Sequence, residues 1–130
     1  MAEDFYCSDA VSHTIPKKSF ENAFDEAIGG NPCIELYILE QEGIIAGYAA
    51  IALTYTTEGG GKTAWLDELY IRERFRGKGL GRSVIKFLQK DKSIKRIRLE
   101  ITPENERAKA LYKSEGFEEC EYRQMIFENK

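Results

Sequence analysis

A single histidine, His13, leaves no basis for a His-rich metal site, and no triad partner stands in view of it. The three cysteines, Cys7, Cys33 and Cys120, are odd in number and show no CxxC spacing. Neither a disulfide framework nor a zinc site is therefore expected; the expected state is free thiols in a reducing cytoplasm. No apolar run approaches the ~20 residues needed to span a bilayer. The opening MAEDFYCSDA carries neither a basic n-region nor an apolar h-region, so a secretory signal is not expected. Repeats, low-complexity tracts and linkers are absent. So is GxxxxGKS/T, the loop that cradles nucleotide triphosphates. A Rossmann GxGxxG starting at Gly77 fails as well, because Arg82 stands where its third glycine should be.

What is present suits one domain over residues 1–130, long enough to bury roughly two-thirds of its unfolded surface. The net charge of −3 hides a strong segregation. Residues 1–71 hold three Lys/Arg against twelve Asp/Glu, and residues 72–98 hold eleven against two. Residues 99–130 return to five against eight. A positive centre in an acidic chain points to one local anionic ligand, not to a long polyanion. Lys86, Lys90 and Lys92 read instead as a solvated helix face.

Periodicity gives the order of elements. After Pro16, the residues Phe20, Ala23, Phe24, Ala27 and Ile28 recur at helical spacing, and Gly29-Gly30-Asn31-Pro32 ends that helix. Strands are predicted at 33–41 and 44–56, joined as a hairpin at Glu42-Gly43. TEGGG (57–61) reads as a loop. The next strand, 63–71, is apolar on both faces except at Asp67 and Glu68, which places it in the middle of a covered sheet. A helix carrying Leu80, Val84, Phe87 and Leu88 follows, then a strand at 94–101. Pro103 to Ser114 forms a last helix, ended by Gly116. EECEYRQMIFE (118–128) is predicted to close the sheet. The fold class is α/β, a mixed sheet with helices on both faces.

RFRGKGLGRS (74–83) lies between a strand and a helix. The first turn of a helix leaves backbone N–H groups without intrahelical partners, and its dipole end is positive. Glycines allow positive φ and close approach of the backbone to an anion. Arg76, Lys78 and Arg82 add charge at the same point. A pyrophosphate at this helix N-terminus is the direct inference.

Arg76, Gly79 and Gly81, placed after the apolar strand LDELYI, resemble the acyl-CoA motif of the GNAT superfamily of N-acetyltransferases, Q/R-x-x-G-x-G/A. PENERAKALYKSEGF (103–117) resembles the second family segment, through Asn105, Ala108, Leu111, Tyr112, Gly116 and Phe117. The resemblance covers about residues 20–127. It implies a mixed, mostly antiparallel sheet, acetyl-CoA as co-substrate, no metal, and an amine as acceptor. The family usually opens with a strand and the start of a helix ahead of the equivalent of MAEDFY, so the first strand is expected to be missing.

The resemblance also implies roles. Arg76, Gly77, Lys78, Gly79, Leu80, Gly81 and Arg82 would hold the pyrophosphate. The backbone of Leu69, Tyr70 and Ile71 would pair with the pantetheine arm, and one of its N–H groups would polarise the thioester carbonyl. Tyr112 would return a proton to the leaving thiolate, or be a core aromatic. Asn105 would touch the pantetheine arm, or only cap a helix; Asn105, Ala108 and Tyr112 share one helical face.

For the base, Asp67 and Glu68 both stand on the central strand. Strict alternation points them to opposite faces, so that one of them reaches the amine. Both carboxylates, or water alone, stay open as the base. The acidic N-terminal part favours a cationic acceptor, in a pocket that Tyr37, Tyr48, Tyr55 and Tyr122 could line. A homodimer is implied by the family and by the C-terminal strand. A CoA-binding sensor or interaction module is the competing reading. Nucleic-acid binding ranks last, since the chain is acidic and lacks an RNP-like aromatic pattern.

Overall fold

The chain reverses at Glu42-Gly43, where both residues take positive φ, 52° and 79°. That is the geometry of a two-residue hairpin turn whose twist matches the strands it joins. β1 (Ile34–Gln41) and β2 (Ile44–Thr56) therefore pair antiparallel, with Gln41 opposite Ile44. β3 (Gly61–Ile71) pairs antiparallel with β2, and β4 (Ile94–Leu99) lies parallel to β3. The sheet is mixed, in the order β1-β2-β3-β4. This architecture comes from a computed structural model that describes residues 1–8, 11 and 14–129. His13 lies outside the described residues.

Helices cover both faces. On one face, α3 (Leu80–Lys90) buries Val84, Ile85 and Leu88 against Ala49 and Ile51 of β2 and Ala64 and Leu66 of β3. Ile85 and Ile51 are fully enclosed, and burying each stabilises the fold by about 1.5–3 kcal/mol. α4 (Glu106–Ser114) packs on the same face, with Tyr112 and the following Phe117 against this core. Gly81 lets the two helices approach: a Cβ there would stand 3.3 Å from Leu111 Cδ2. On the other face lie α1 (Ala2–Tyr6) and α2 (Lys17–Ile28). The apolar stripe of α2 faces the sheet at a distance, leaving Phe24 and Ile28 exposed and a cavity beneath.

The central strand departs from strict alternation. Ala50 pairs with Glu68 and Ile51 with Leu66, so Asp67 has no residue opposite it on β2. It is the extra residue of a β-bulge. Ala64 and Leu66 face the α3 core before the bulge, and Leu69 faces it afterwards. Asp67 and Glu68 therefore both turn to the α1–α2 side. The expectation of opposite faces is corrected here, because a bulge shifts the parity of every residue beyond it.

Other expectations are corrected as well. EECEYRQMIFE forms no strand among the described residues: 118–129 runs irregularly, with Tyr122, Met125, Ile126 and Phe127 exposed. A strand needs a ladder partner as well as propensity. Glu119 is instead held along α4 by ion pairs to Lys109 at 3.2 Å and Lys113 at 3.7 Å. The last helix starts at Glu106 because Asn105 caps it, and β4 ends at Leu99. The short α1 had no signal in the periodicity. The three cysteines are free and exposed. No helix among the described residues is long and apolar enough to cross a membrane.

Candidate active site

The β3–β4 ladder stops at Leu66 opposite Leu99. Beyond that point the two strands part, and a groove of about 660 Å³ opens beside Leu69, Tyr70 and Ile71. Its far wall is α4, through Asn105, Ala108 and Tyr112. Its floor is the glycine loop, through Gly77, Gly79, Leu80 and Gly81. Gly77 and Gly79 have φ of 75° and 82°, which only glycine adopts without strain. Gly79 is the N-cap of α3, and a Cβ there would meet nothing within 4 Å, so the space over the loop is open.

The cations around this loop are held in different ways. Arg76 borders the groove and donates its Nε to the Ile71 carbonyl at 2.8 Å, tying the loop to the end of β3. Arg82 also borders it, but its guanidinium bonds Glu115 and, at 3.2 Å, Ser114 Oγ. Lys86 joins the same carboxylate at 2.8 Å. The Glu115 side chain is only 3% exposed between them, and the Lys86 and Arg82 bonds hold its carboxyl below the usual range. Lys78 does not line the groove; its ammonium lies 5.8 Å from the ring centre of Phe75, which does. Arg107, which the sequence reading passed over, borders the groove beside Gly77. Its only signal was a place in the first turn of α4, two residues after Asn105.

Two side chains of the second motif sit on the groove wall. Asn105 caps α4 by accepting the Ala108 N–H at 3.2 Å. That bond uses Oδ1 alone and leaves the amide nitrogen as a donor. Tyr112 packs 5.6 Å from Phe117, and burial raises its phenol pKa. A raised pKa keeps the hydroxyl protonated at neutral pH, the form that a proton donor needs.

Across β3 lies the second cavity, about 940 Å³, between the sheet and α1–α2. Asp67 and Glu68 line it together, as the bulge requires. Burial raises both carboxyls above their ordinary values. For Glu68 the Tyr48 and Tyr6 hydroxyls act in the opposite direction, Tyr48 donating to Oε1 at 2.9 Å. Of the four tyrosines considered for this pocket, Tyr37 and Tyr48 line it, whereas Tyr55 and Tyr122 are exposed. Tyr6 lines it too and was missed, since nothing in the periodicity marked α1. Among the described residues no cluster of three His, Cys, Asp or Glu is placed to hold a metal ion.

A single strand thus borders two cavities of opposite character: a groove ringed by arginines and glycines, and a cavity carrying carboxylates. Residues 3–117 match the acetyltransferase (GNAT) family. The chain is 36% identical over 86 residues to spermine/spermidine N(1)-acetyltransferase of Bacillus subtilis (strain 168), covering 62% of this chain and 57% of that protein. It is 32% identical over 75 residues to thialysine N-epsilon-acetyltransferase of Bos taurus, covering 55% of this chain and 44% of that protein. The chain spans about half the length of these curated relatives. AAC(6')-Iy, solved in complex with the bisubstrate analogue CoA-S-monomethyl-acetylneamine, shares the fold at a TM-score of 0.70 and 20% identity, over 88% of this chain and 80% of that one. With a match that runs from α1 to the end of the second motif, this chain belongs to the acetyltransferase (GNAT) family.

Proposed function

We propose that the protein transfers the acetyl group of acetyl-CoA to a primary amine of a small molecule or peptide, by direct attack on the thioester. The observation that carries this reading is the position of β3. Leu69–Ile71 border the groove suited to the donor, and Asp67 and Glu68, immediately before them, border the cavity suited to the amine. The loop N–H groups at the start of α3, with Arg76 and Arg107, suit a pyrophosphate. The backbone of Leu69–Ile71, past the end of the β4 ladder, suits an extended amide-bearing arm.

A carboxylate of the bulge takes a proton from R–NH3+, and the nitrogen lone pair then attacks the thioester carbon. A backbone N–H at Leu69–Ile71 stabilises the oxyanion; losing one such donor typically costs about 2.7–4 kcal/mol. Collapse breaks the C–S bond, and Tyr112 gives its proton to the departing sulfur. The second proton on nitrogen passes through solvent to restore Tyr112, and the carboxyl returns its own to water. One proton is released overall. The named relatives acetylate amines that are cationic at neutral pH, and the carboxylates of the second cavity favour the same class here.

Calorimetric titration with acetyl-CoA, followed by a thiol-release screen over polyamines, aminoglycosides, amino acids and peptides, tests the reading. Binding with thiol release is the expected result. Binding without release across the panel would mark a CoA-binding module instead, and no binding would refute the assignment of the groove. A cytoplasmic homodimer belongs to the same proposal, supported by the exposed apolar side chains of 122–127; sedimentation velocity checks the dimer.

A further inference from the structure

Two tyrosines from different elements line the cavity that holds Glu68. Tyr48 stands on β2, is 8% exposed, and donates its hydroxyl to Glu68 Oε1 at 2.9 Å. Tyr6 of α1 lines the same cavity, with its ring edge-on to Phe5 at 4.9 Å and 5.4 Å from Phe20 of α2, and the nearby Glu68 charge helps burial push its phenol up. Among the described residues no side-chain donor reaches Asp67, the neighbour on the bulge. We propose that Tyr6 and Tyr48 are positioning residues for the acetyl transfer, holding Glu68 ionised and aimed at the acceptor amine, so that Glu68 and not Asp67 is the base. The inference rests on the acetyltransferase reading given above.

The chemistry needs this kind of support. An ionised carboxylate in an apolar cavity is costly unless donors meet it. Here both donors are phenols, and burial with the nearby Glu68 charge pushes their pKa values up, so they remain donors at neutral pH. Burial raises the basicity of Glu68, and the two hydroxyls restrain that rise. The remaining ionisable groups that face the cavity are Asp67 and, further out, Glu21, Asp25, Glu35 and Tyr37. The Tyr70 ring lies 6.2 Å from that of Tyr48, tilted to it by 38°, and the Met1 amino group is paired with Asp4 at 3.9 Å. None of the described lining residues is Lys or Arg. Among the described lining residues no side-chain cation competes for Glu68, so in this proposal the positive charge that meets it is the substrate's ammonium. Glu68 then takes one proton from R–NH3+, leaving neutral R–NH2 with its lone pair free and Glu68 as the acid, which later returns the proton to water.

The test is the pH dependence of thiol release for the wild type, Tyr6→Phe, Tyr48→Phe and Glu68→Gln at saturating acetyl-CoA. A carbon-13 titration of the glutamate carboxyls runs beside it. Losing a hydroxyl that favours the charged form should raise the Glu68 pKa. Each Phe variant is therefore expected to move the acidic limb, and the Glu68 carboxyl titration, upward by about one pH unit. Acetyl-CoA affinity should stay within about twofold. Glu68→Gln should abolish the limb. A limb and a titration unmoved in both Phe variants, or a limb abolished by Asp67→Asn and retained in Glu68→Gln, would overturn the inference. A wild type that binds acetyl-CoA but acetylates no amine would sink the acetyltransferase reading instead. The carboxyl titration, which needs no turnover, would still decide whether the tyrosines hold Glu68 ionised.

Discussion

Replacing Gly47 by alanine tests how closely β2 and β3 must approach beside the donor groove. A Cβ at Gly47 would stand 2.1 Å from the Tyr70 carbonyl oxygen and 3.1 Å from Ile71 Cα. Carbon and oxygen normally approach to about 3.3 Å, so the strands would have to separate locally by about 1 Å. The obstructing atoms are backbone, so no rotamer change relieves them. Over-packing of this kind costs about 1–3 kcal/mol, against which the stiffer unfolded chain returns about 0.4–1 kcal/mol. The net loss is about 1–2 kcal/mol, which for a domain of this size lowers Tm by roughly 3–10 °C.

The same displacement reaches the site. Tyr70 and Ile71 border the groove, Arg76 is anchored on the Ile71 carbonyl, and Arg72 N–H bonds the Ala46 carbonyl at 2.7 Å. Moving β2 from β3 shifts all of these together. Circular dichroism melts should show the lower Tm. Calorimetry at 20 °C, where the variant remains folded, should show acetyl-CoA binding weakened by roughly three- to tenfold. A variant with wild-type Tm and wild-type affinity would refute the reasoning, because it would mean that the close approach at Gly47 sets neither the strand spacing nor the groove.

At the glycine loop, Gly79→Glu places a carboxylate about 6 Å from the bound phosphates, worth about 1–3 kcal/mol of repulsion per charge. Calorimetry should therefore show acetyl-CoA affinity reduced at least tenfold, with Gly79→Ala reporting the backbone strain alone. Tyr112→Phe should lower kcat by ~10²-fold or more while leaving acetyl-CoA affinity within about twofold; equal turnover in pre-steady-state kinetics would return Tyr112 to the core. Glu115, whose folded pKa is depressed by Lys86 and Arg82, contributes stability above its unfolded pKa that is lost as pH falls through the folded one. Melts of Glu115→Gln should accordingly be lower than wild type at pH 7 and converge with it at acid pH.

Much of this architecture was legible, for reasons that can be named. Glu42-Gly43 between two β-rich runs fixes a hairpin because few residue pairs tolerate two positive φ angles in succession. TAWLDELYI is apolar on both faces because β3 has a strand on either side and helices above and below. Arg76-Gly77-Lys78-Gly79-Leu80-Gly81 marks the loop because Gly77 and Gly79 need left-handed backbone and Gly81, lacking a Cβ, leaves the space that Leu111 fills. These are local demands, and local demands leave a trace in sequence. The rest depends on partners distant in the chain. The bulge at Asp67 exists only in the register of β3 against β2, so strict alternation misplaced one carboxylate. Arg82 looks like a phosphate ligand until Glu115, thirty-three residues later, is brought beside it. The segment at 118–128 has strand composition, but composition does not supply an edge to pair with.

The charge segregation seen along the chain acquires a physical meaning in the folded protein. The acidic first part builds the cavity that holds Glu21, Asp25, Glu35, Asp67 and Glu68, and the basic stretch that follows builds the loop carrying Arg76 and Arg82. The changeover falls at the end of β3, where the strand passes from one cavity to the other. A cationic amine and an anionic cofactor would each be drawn to its own side of one strand, and repelled from the other. The bulge and the end of the β4 ladder then serve one purpose at adjacent residues. The bulge turns Asp67 and Glu68 into one cavity, and the end of the β3–β4 ladder at Leu66 leaves Leu69–Ile71 bordering the other, the arrangement that the proposed reading needs for amine and donor. In the proposed reading few covalent bonds separate the base from the backbone that would meet the thioester, so one strand paired on both sides, and not loops, would set the relative placement of the two substrates.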